Sequence, residues 1–238
     1  MKAVELSARM QAFADMVSKG SVVCDVGCDH GWVSIYLIQQ GLASKVYAMD
    51  VGVGPLERAK EHIRSYNLEN YIEPRLSDGL ATLQAGEADC MVCAGMGGPL
   101  MMRILTEGSE KAKAMKELIL QPQSEIALFR RFLRQEGYKI VREDMVLEEG
   151  KYYPMMKVIP TEGVFVENSK EQDIFDAYGE LLLKEKHPVL QVYIDHSMKQ
   201  AEELLQHLEK QETARAAERM KQIEKELALL QEAKAYML

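Results

Sequence analysis

The chain has 238 residues, enough to bury a full core and to carry an appendage beside one domain. Its formal net charge is −8, with 29 Lys and Arg against 37 Asp and Glu, which argues against a broadly basic nucleic-acid clamp and leaves room for a local patch. The charged start Met1-Lys2-Ala3-Val4-Glu5 is unlike a secretory leader, and no apolar run approaches the roughly 20 residues of a membrane span, so a cytoplasmic protein with no membrane partner is expected.

Residues 1–20 are expected to form a helix with Leu6, Met10, Phe13 and Val17 on one face. Strands and helices then alternate. Strand 22–26 leads to a helix over 32–40, and strand 45–49 to a helix over 54–66. Strand 71–76 contains Pro74, which counts against it, and ends at the turn Ser77-Asp78-Gly79-Leu80. Strand 88–94 precedes Gly95-Met96-Gly97-Gly98 and a helix to about 105; strand 117–121 precedes a helix over 124–135. Such alternation predicts a parallel sheet with helices on both faces. Residues 138–147 and 151–159 are two β-rich runs around Glu148-Glu149-Gly150, a link too short for a crossover, so they pair antiparallel. A mostly parallel sheet closed by one antiparallel hairpin strand resembles the known fold of class I methyltransferases, which implies an α/β, Rossmann-like architecture.

From about Glu167 the chain reads as helical. Ala216, Met220, Ile223, Leu227 and Leu230 form a heptad seam that weakens at Lys234, with only Met237 beyond it, and Met198, Ala201, Leu205 and Leu208 repeat a similar spacing. The segment 211–215 between them is mostly polar, with Thr213 placed to N-cap a new helix. Two helices folded back as an antiparallel coiled coil are expected, with a helix over 171–186 as a third member. One continuous dimerising helix is the alternative. The expected division is a methyltransferase domain over 1–162 and a helical coiled-coil domain over 167–238, in a monomer or weak dimer. The net charge is −5 from Glu167 onward and −3 before it, so neither part is a basic tail.

The four cysteines include Cys90-x-x-Cys93, a spacing that tempts a metal or redox reading. They fall in a strand, where residues three apart point to opposite faces. Buried reduced thiols and no metal are expected.

The chemistry concentrates where the first strand ends. Val22-Val23-Cys24-Asp25-Val26-Gly27-Cys28-Asp29-His30-Gly31 is an apolar run closing on Asp-x-Gly-x-x-x-Gly, and the next strand ends in Asp50. Glycines in the first turn admit a ligand close to backbone, and an acid at the second strand tip accepts hydrogen bonds from a ribose diol. A dinucleotide site needs G-x-G-x-x-G to seat a pyrophosphate. Here the strand closes on Asp25 and Asp29 replaces the second glycine. Two carboxylates repel pyrophosphate and suit a cation; the nucleoside cofactor that carries positive charge is S-adenosylmethionine. Nicotinamide chemistry and a purely structural turn are the competing readings.

The chain further resembles the bacterial tRNA (adenine-22-N1)-methyltransferases over nearly its whole length. The motifs that carry this are Leu6-Ser7-Ala8-Arg9-Met10, Asp25-Val26-Gly27-Cys28-Asp29-His30-Gly31, Ala94-Gly95-Met96-Gly97-Gly98, Ile119-Leu120-Gln121-Pro122-Gln123 and Glu149-Gly150-Lys151-Tyr152-Tyr153. Gln123, where the family favours Asn, and Gly31-Trp32, where Ala-Tyr is common, depart from its pattern. The resemblance implies S-adenosylmethionine as cofactor and tRNA as partner. It places Asp25 and Gly27 around the methionine moiety, Asp50 on the ribose, Asp78 on the adenine N6 with Gly79 along the ring, and Ala94 and Gly95 beside the cofactor. Asp29, His30 and Arg9 become the candidate catalytic residues, with Arg9, Met96, Gly97, Gly98, Gln121 and Tyr153 toward the substrate. Gly95-Met96-Gly97-Gly98 gives backbone groups but no side-chain grip on a base, so an aromatic stack has to come from elsewhere, with Trp32 and Tyr153 as candidates and packing as their ordinary role. Arg9 reaches a tRNA phosphate or the base. A methyltransferase for a small molecule or protein, with the coiled coil only dimerising, and a non-catalytic RNA-binding homologue are the rival functions.

Overall fold

Seven strands form one sheet in the order β3-β2-β1-β4-β5-β7-β6 in the computed structural model. It describes residues 3–163, 169–211 and 213–238. Met1 and Lys2 of the expected first helix, residues 164–168 around the expected junction and Glu212 of the polar segment lie outside the described residues. The parallel strands are β1 (Ser21–Val26), β2 (Ala43–Asp50), β3 (Ile72–Leu76), β4 (Cys90–Met96) and β5 (Glu117–Pro122). The hairpin β6 (Tyr138–Glu148) and β7 (Lys151–Pro160) closes the sheet, with β7 antiparallel to both neighbours. Its link is the two-residue turn Glu149-Gly150, both at positive φ (49° and 75°), the geometry that matches strand twist in a tight hairpin. β3 is an outermost strand, which is why Pro74 fits there without breaking the ladder.

Alternation along the strands divides the core in two. Val23, Val46, Ala48, Cys90, Val92 and Ile119 point to one face, which α1 (Ala8–Ala14), α2 (Trp32–Gln39) and α3 (Val53–Ser65) cover. Cys24, Met49, Met91, Cys93, Leu118 and Leu120 point to the other, under α4 (Gly98–Glu107), α5 (Ser109–Lys113) and α6 (Ile126–Gln135). Cys90 and Cys93 therefore lie on opposite faces, and all four cysteines are buried and free. Val33 through Leu37 are buried in succession, so the middle of α2 is enclosed, while Trp32 at its start stays exposed.

Three elements differ from expectation. The first helix is only seven residues long, because Ser7 caps it through the Met10 amide and the chain leaves helical geometry before Gly20 (φ 83°). Leu6 still packs against the core, from extended chain. α5 was not foreseen; it follows the tight approach at Gly108, where a Cβ would meet Leu80 at 2.7 Å. The expected helix 171–186 is two helices, α7 (Lys170–Tyr178) and α8 (Glu180–Lys184), broken at Gly179 (φ 91°).

The chain falls into two compact units, 1–166 and 167–238. Within the second, α9 (Pro188–Leu208) and α10 (Ala214–Met237) run antiparallel, tied by Lys234 Nζ to Asp195 Oδ1 at 2.8 Å. The Thr213 hydroxyl accepts from the Ala216 amide at 3.1 Å, the cap that starts α10 and rules out one continuous helix. Ala216, Ile223, Leu230 and Met237, spaced by seven, are buried, so the apolar seam continues past Lys234. α7 packs on α10 through Phe175 and Tyr236, centroids 5.7 Å apart, and through the Tyr236 hydroxyl donating to Glu171 at 2.8 Å. No helix among the described residues is long and apolar enough to cross a membrane.

Candidate active site

A cavity of about 1110 Å³ opens at the carboxyl ends of β1 and β4. This is where strand order reverses, the crevice in which open α/β sheets bind ligands. Its volume lies just above the roughly 300–1,000 Å³ of ordinary small-molecule sites, ample for a nucleoside cofactor. Asp25, Gly27, Asp29, Asp50, Ala94 and Gly95 line it, with Arg9, His30, Trp32 and Met96. Residues 3–7, ahead of α1, also form part of the wall, a contribution that the expected long helix concealed.

The acids are held by different means. Asp25 is buried at the end of β1 and accepts from the Ser34 hydroxyl at 2.6 Å. Burial drives its pKa up from the usual 3.8 to about 6, against the stabilising Ser34 hydrogen bond, and Asp50 nearby adds to the rise. Asp50 accepts the Asp29 amide on Oδ2 at 3.0 Å and the Gly52 amide on Oδ1 at 2.7 Å. Among the described residues no fixed cation is recorded against Asp25 or Asp50. Asp29 occupies left-handed backbone (φ 48°), unusual for a side chain with a Cβ. That conformation sends its amide to Asp50 and leaves its carboxylate in the cavity wall, with His30 Nε2 3.5 Å away.

The glycines have a steric reason here. At Gly27 (φ 78°) a Cβ would overlap the end of Met96, and at Gly98 it would lie 2.5 Å from the Ser124 carbonyl oxygen. At Gly98 the chain can thus pack on the Ser124 backbone only without a side chain, whereas at Gly27 it is the positive φ that favours glycine, since the Met96 methyl can move. This acid-lined, glycine-walled cradle fits a nucleoside cofactor with a positively charged tail.

Arg9 forms the opposite wall. Its Nη1 donates to Gln121 Oε1 at 3.1 Å, its Nε faces Glu148 Oε2 at 3.6 Å, and its guanidinium covers the Tyr153 ring at 4.6 Å. Gln121 Oε1 also accepts the Gly95 amide at 3.3 Å, joining Arg9 to the β4 loop. Glu148 accepts the Arg9 amide at 3.1 Å and the Ser7 hydroxyl at 3.2 Å, so one carboxylate anchors the start of α1. The sequence reading missed Glu148. Its contacts span about 140 residues and leave no local signal.

Other expected residues stand back from the cavity. Gln121 is fully buried behind Gly95, and the Tyr153 face is taken by Arg9. Gly97 and Gly98 turn into α4 beside Ser124. Asp78 and Gly79 lie past β3 and outside the cavity lining; Arg103 holds the Asp78 carboxylate, and Gly79 packs on Ile104. Trp32 is the aromatic left on the rim, 38% exposed, stacked on His62 with centroids 4.0 Å apart and with Tyr66 edge-on at 6.3 Å. His62, unforeseen, also bonds the His30 carbonyl through Nδ1 at 2.9 Å.

The family model for a methyltransferase domain matches residues 6–156. The curated tRNA (adenine(22)-N(1))-methyltransferase of Bacillus subtilis is 35% identical over 156 residues, 66% of this chain and 66% of that one. A Streptococcus pneumoniae protein, Sp1610, solved in complex with S-adenosyl-L-methionine, is 30% identical with a TM-score of 0.82, covering 96% of this chain and 99% of that one. The structure of the B. subtilis M1A22 tRNA methyltransferase TrmK is 27% identical with a TM-score of 0.81, covering 97% and 99%.

Proposed function

We propose, for a chain that belongs to the bacterial tRNA (adenine(22)-N(1))-methyltransferase family, that it transfers a methyl group from S-adenosylmethionine to N1 of an adenine in tRNA. The observation that carries this reading is the convergence of Asp25, Asp29 and Asp50 on one glycine-walled cavity at the switch point of the sheet.

When bound, S-adenosylmethionine supplies a methyl group already activated on a sulfonium. Asp50 holds the ribose, using lone pairs left over from its two amide bonds. Ionised Asp25 stabilises the positively charged end. Asp78, two residues past β3 and outside the cavity lining, reads the adenine amine where the cofactor runs beyond Asp50 along the strand ends. Adenine N1 carries its own lone pair, so no strong base is needed and alignment supplies most of the acceleration. Methylation leaves a positive charge on the purine. The Asp29 carboxylate, with His30 beside it, stabilises that charge or takes a proton from N6. Trp32 gives the base a stacking face, and Arg9 orients the nucleotide from the far wall. The protein acts in the cytoplasm, as a monomer or weak dimer, with the helical unit positioning tRNA.

Labelled S-adenosylmethionine and unmodified bulk tRNA test the reading, with two variants run in parallel. Asp29→Ala should keep cofactor affinity while turnover falls about 10²-fold, the scale of a general acid–base contribution. Asp50→Ala should lose about 1.5–3 kcal/mol of cofactor affinity, measured by calorimetry. Failure of the wild type to label tRNA would sink the activity; equal binding and turnover losses in Asp29→Ala would make Asp29 a cofactor ligand or a structural cap.

A further inference from the structure

Asp78 has a partner that the proposed reaction does not yet use. It stands two residues past β3, next to Asp50 along the sheet edge, where the Ser77 amide donates to the Asp50 carbonyl at 2.8 Å. Arg103 on α4 grips its carboxylate with both arms, Nη2 to Oδ1 at 2.8 Å and Nη1 to Oδ2 at 3.2 Å. Nη1 also reaches Glu107 Oε2 at 3.4 Å, one helical turn on.

The turn carrying Asp78 does not depend on that grip. Lys111 Nζ donates to the carbonyls of Leu80 at 2.7 Å and Ala81 at 2.9 Å. The Ser77 hydroxyl donates to the Gly79 carbonyl at 2.9 Å, and Leu80 is buried against Gly108. The backbone from 77 to 82 is therefore fixed by other groups. What Arg103 adds is control of one exposed carboxylate, which would otherwise rotate among its rotamers. A guanidinium fork fixes the plane of a carboxylate and leaves each oxygen a second lone pair.

We infer that Arg103 is a positioning residue for cofactor recognition, holding the Asp78 carboxylate in the orientation that accepts the 6-amino group of the cofactor purine. The inference rests on the reading of Asp78 as the acid that meets the adenine. Asp78 is ionised at neutral pH and so is an acceptor with no proton to donate, and Arg103, by holding its carboxyl below the ordinary pKa, extends that state to lower pH. Such a group accepts from a 6-amino purine and repels a 6-oxo purine. Arg103 thus contributes to discrimination between adenosyl and inosyl forms, at a distance from the transferred methyl group.

Calorimetry on the full chain with S-adenosylhomocysteine and S-inosylhomocysteine tests this. The wild type should prefer the adenosyl form by about tenfold or more. Arg103→Ala should narrow that preference about threefold, the scale of a solvent-exposed pair, by weakening the adenosyl form alone and without changing Tm. Arg103→Lys should restore part of it. Equal weakening of both ligands, or no change in either, overturns the role of Arg103. Asp78→Asn, whose amide can donate to the 6-oxo oxygen, should also narrow the preference. If Asp78→Asn leaves the preference intact, the reading of Asp78 itself fails. A narrowed preference there with an unchanged one in Arg103→Ala removes Arg103 alone.

Discussion

Asp25 and Glu117 are both buried carboxylates in the same sheet, at opposite ends of its strands. Glu117, at the start of β5, is matched by the Lys157 ammonium at 2.6 Å and by the Ser18 hydroxyl and amide, both at 2.7 Å. Burial works to raise its pKa, but these partners outweigh burial and hold it below the ordinary value. Asp25, near the end of β1, has one hydroxyl, and its pKa is pushed up to about 6. The difference separates two uses of a buried charge. One carboxylate is completed by the fold. The other is left short of a cation at the rim of a cavity, as a group waiting for a positively charged ligand would be.

The largest effect should come from the completed site. Glu117→Gln leaves the partly buried Lys157 ammonium without its counter-ion, which should cost about 2–3 kcal/mol of stability at pH 7. Because the Glu117 pKa is lowered in the folded chain, the contribution is present above the ordinary carboxylate range and is lost as pH falls through it. Thermal unfolding against pH measures this. Cofactor affinity should stay within about twofold, since the site lies at the other strand ends. A large affinity loss with little loss of stability would erase the contrast.

Asp25 should behave in the opposite sense. Its folded pKa of about 6 lies above the usual 3.8, so the folded chain binds the proton more tightly than the unfolded chain. Stability from this group is full below about pH 4 and falls as pH rises toward 6, by on the order of 2 kcal/mol. Asp25→Asn should remove that decline, so its melting temperature relative to wild type rises between pH 5 and pH 7. Cofactor affinity should move the other way: in the wild type it grows as Asp25 ionises through pH 6, and in Asp25→Asn it is flat and about tenfold weaker at pH 7.5. A variant with the wild-type pH profile of both stability and binding would show that Asp25 does not titrate where burial places it.

The contrast also explains what could be read in advance. The acidic part of the site is local: Asp25 lies near the end of β1, Gly27 and Asp29 follow in the turn, and Asp50 marks the next strand end, so order along the chain exposes them. The reversed hairpin was equally visible, because a two-residue link permits only one pairing direction. The Arg9 wall is tertiary. Glu148 and Gln121 reach Arg9 across 139 and 112 residues, and no periodicity in α1 points to either. The apolar spacing of residues 6–17 was real, yet it stood for packing rather than helix length, since Leu6 packs on the core from extended chain ahead of the Ser7 cap. Gly179 was passed over inside an otherwise regular apolar pattern, although its positive φ ends α7.

The smallest effects are expected where charge is neither buried nor completed, in the helical unit. Lys210, Arg215, Arg219, Lys221 and Lys225 cluster near the turn between α9 and α10, and all are exposed. They are not equivalent. Arg219 is engaged by Gln222 at 3.0 Å and faces Glu226 at 3.8 Å, so part of its charge is answered within the chain. A helical periodicity of about 100° per residue places Lys221 and Lys225 on the face opposite the buried seam of Ala216, Ile223 and Leu230, open to a phosphate backbone. Neutralising Lys210, Arg215, Lys221 or Lys225 to Gln should each weaken tRNA binding about threefold and flatten the slope of log affinity against log salt by about 0.7–0.9 for each phosphate no longer neutralised. Arg219→Gln should do less, because it also frees Glu226. Cofactor affinity and the pH dependence of Asp25 should not move in any of them. If the quadruple neutralisation leaves tRNA affinity and its salt slope unchanged, the helical pair serves another purpose, and sedimentation would show whether that purpose is self-association.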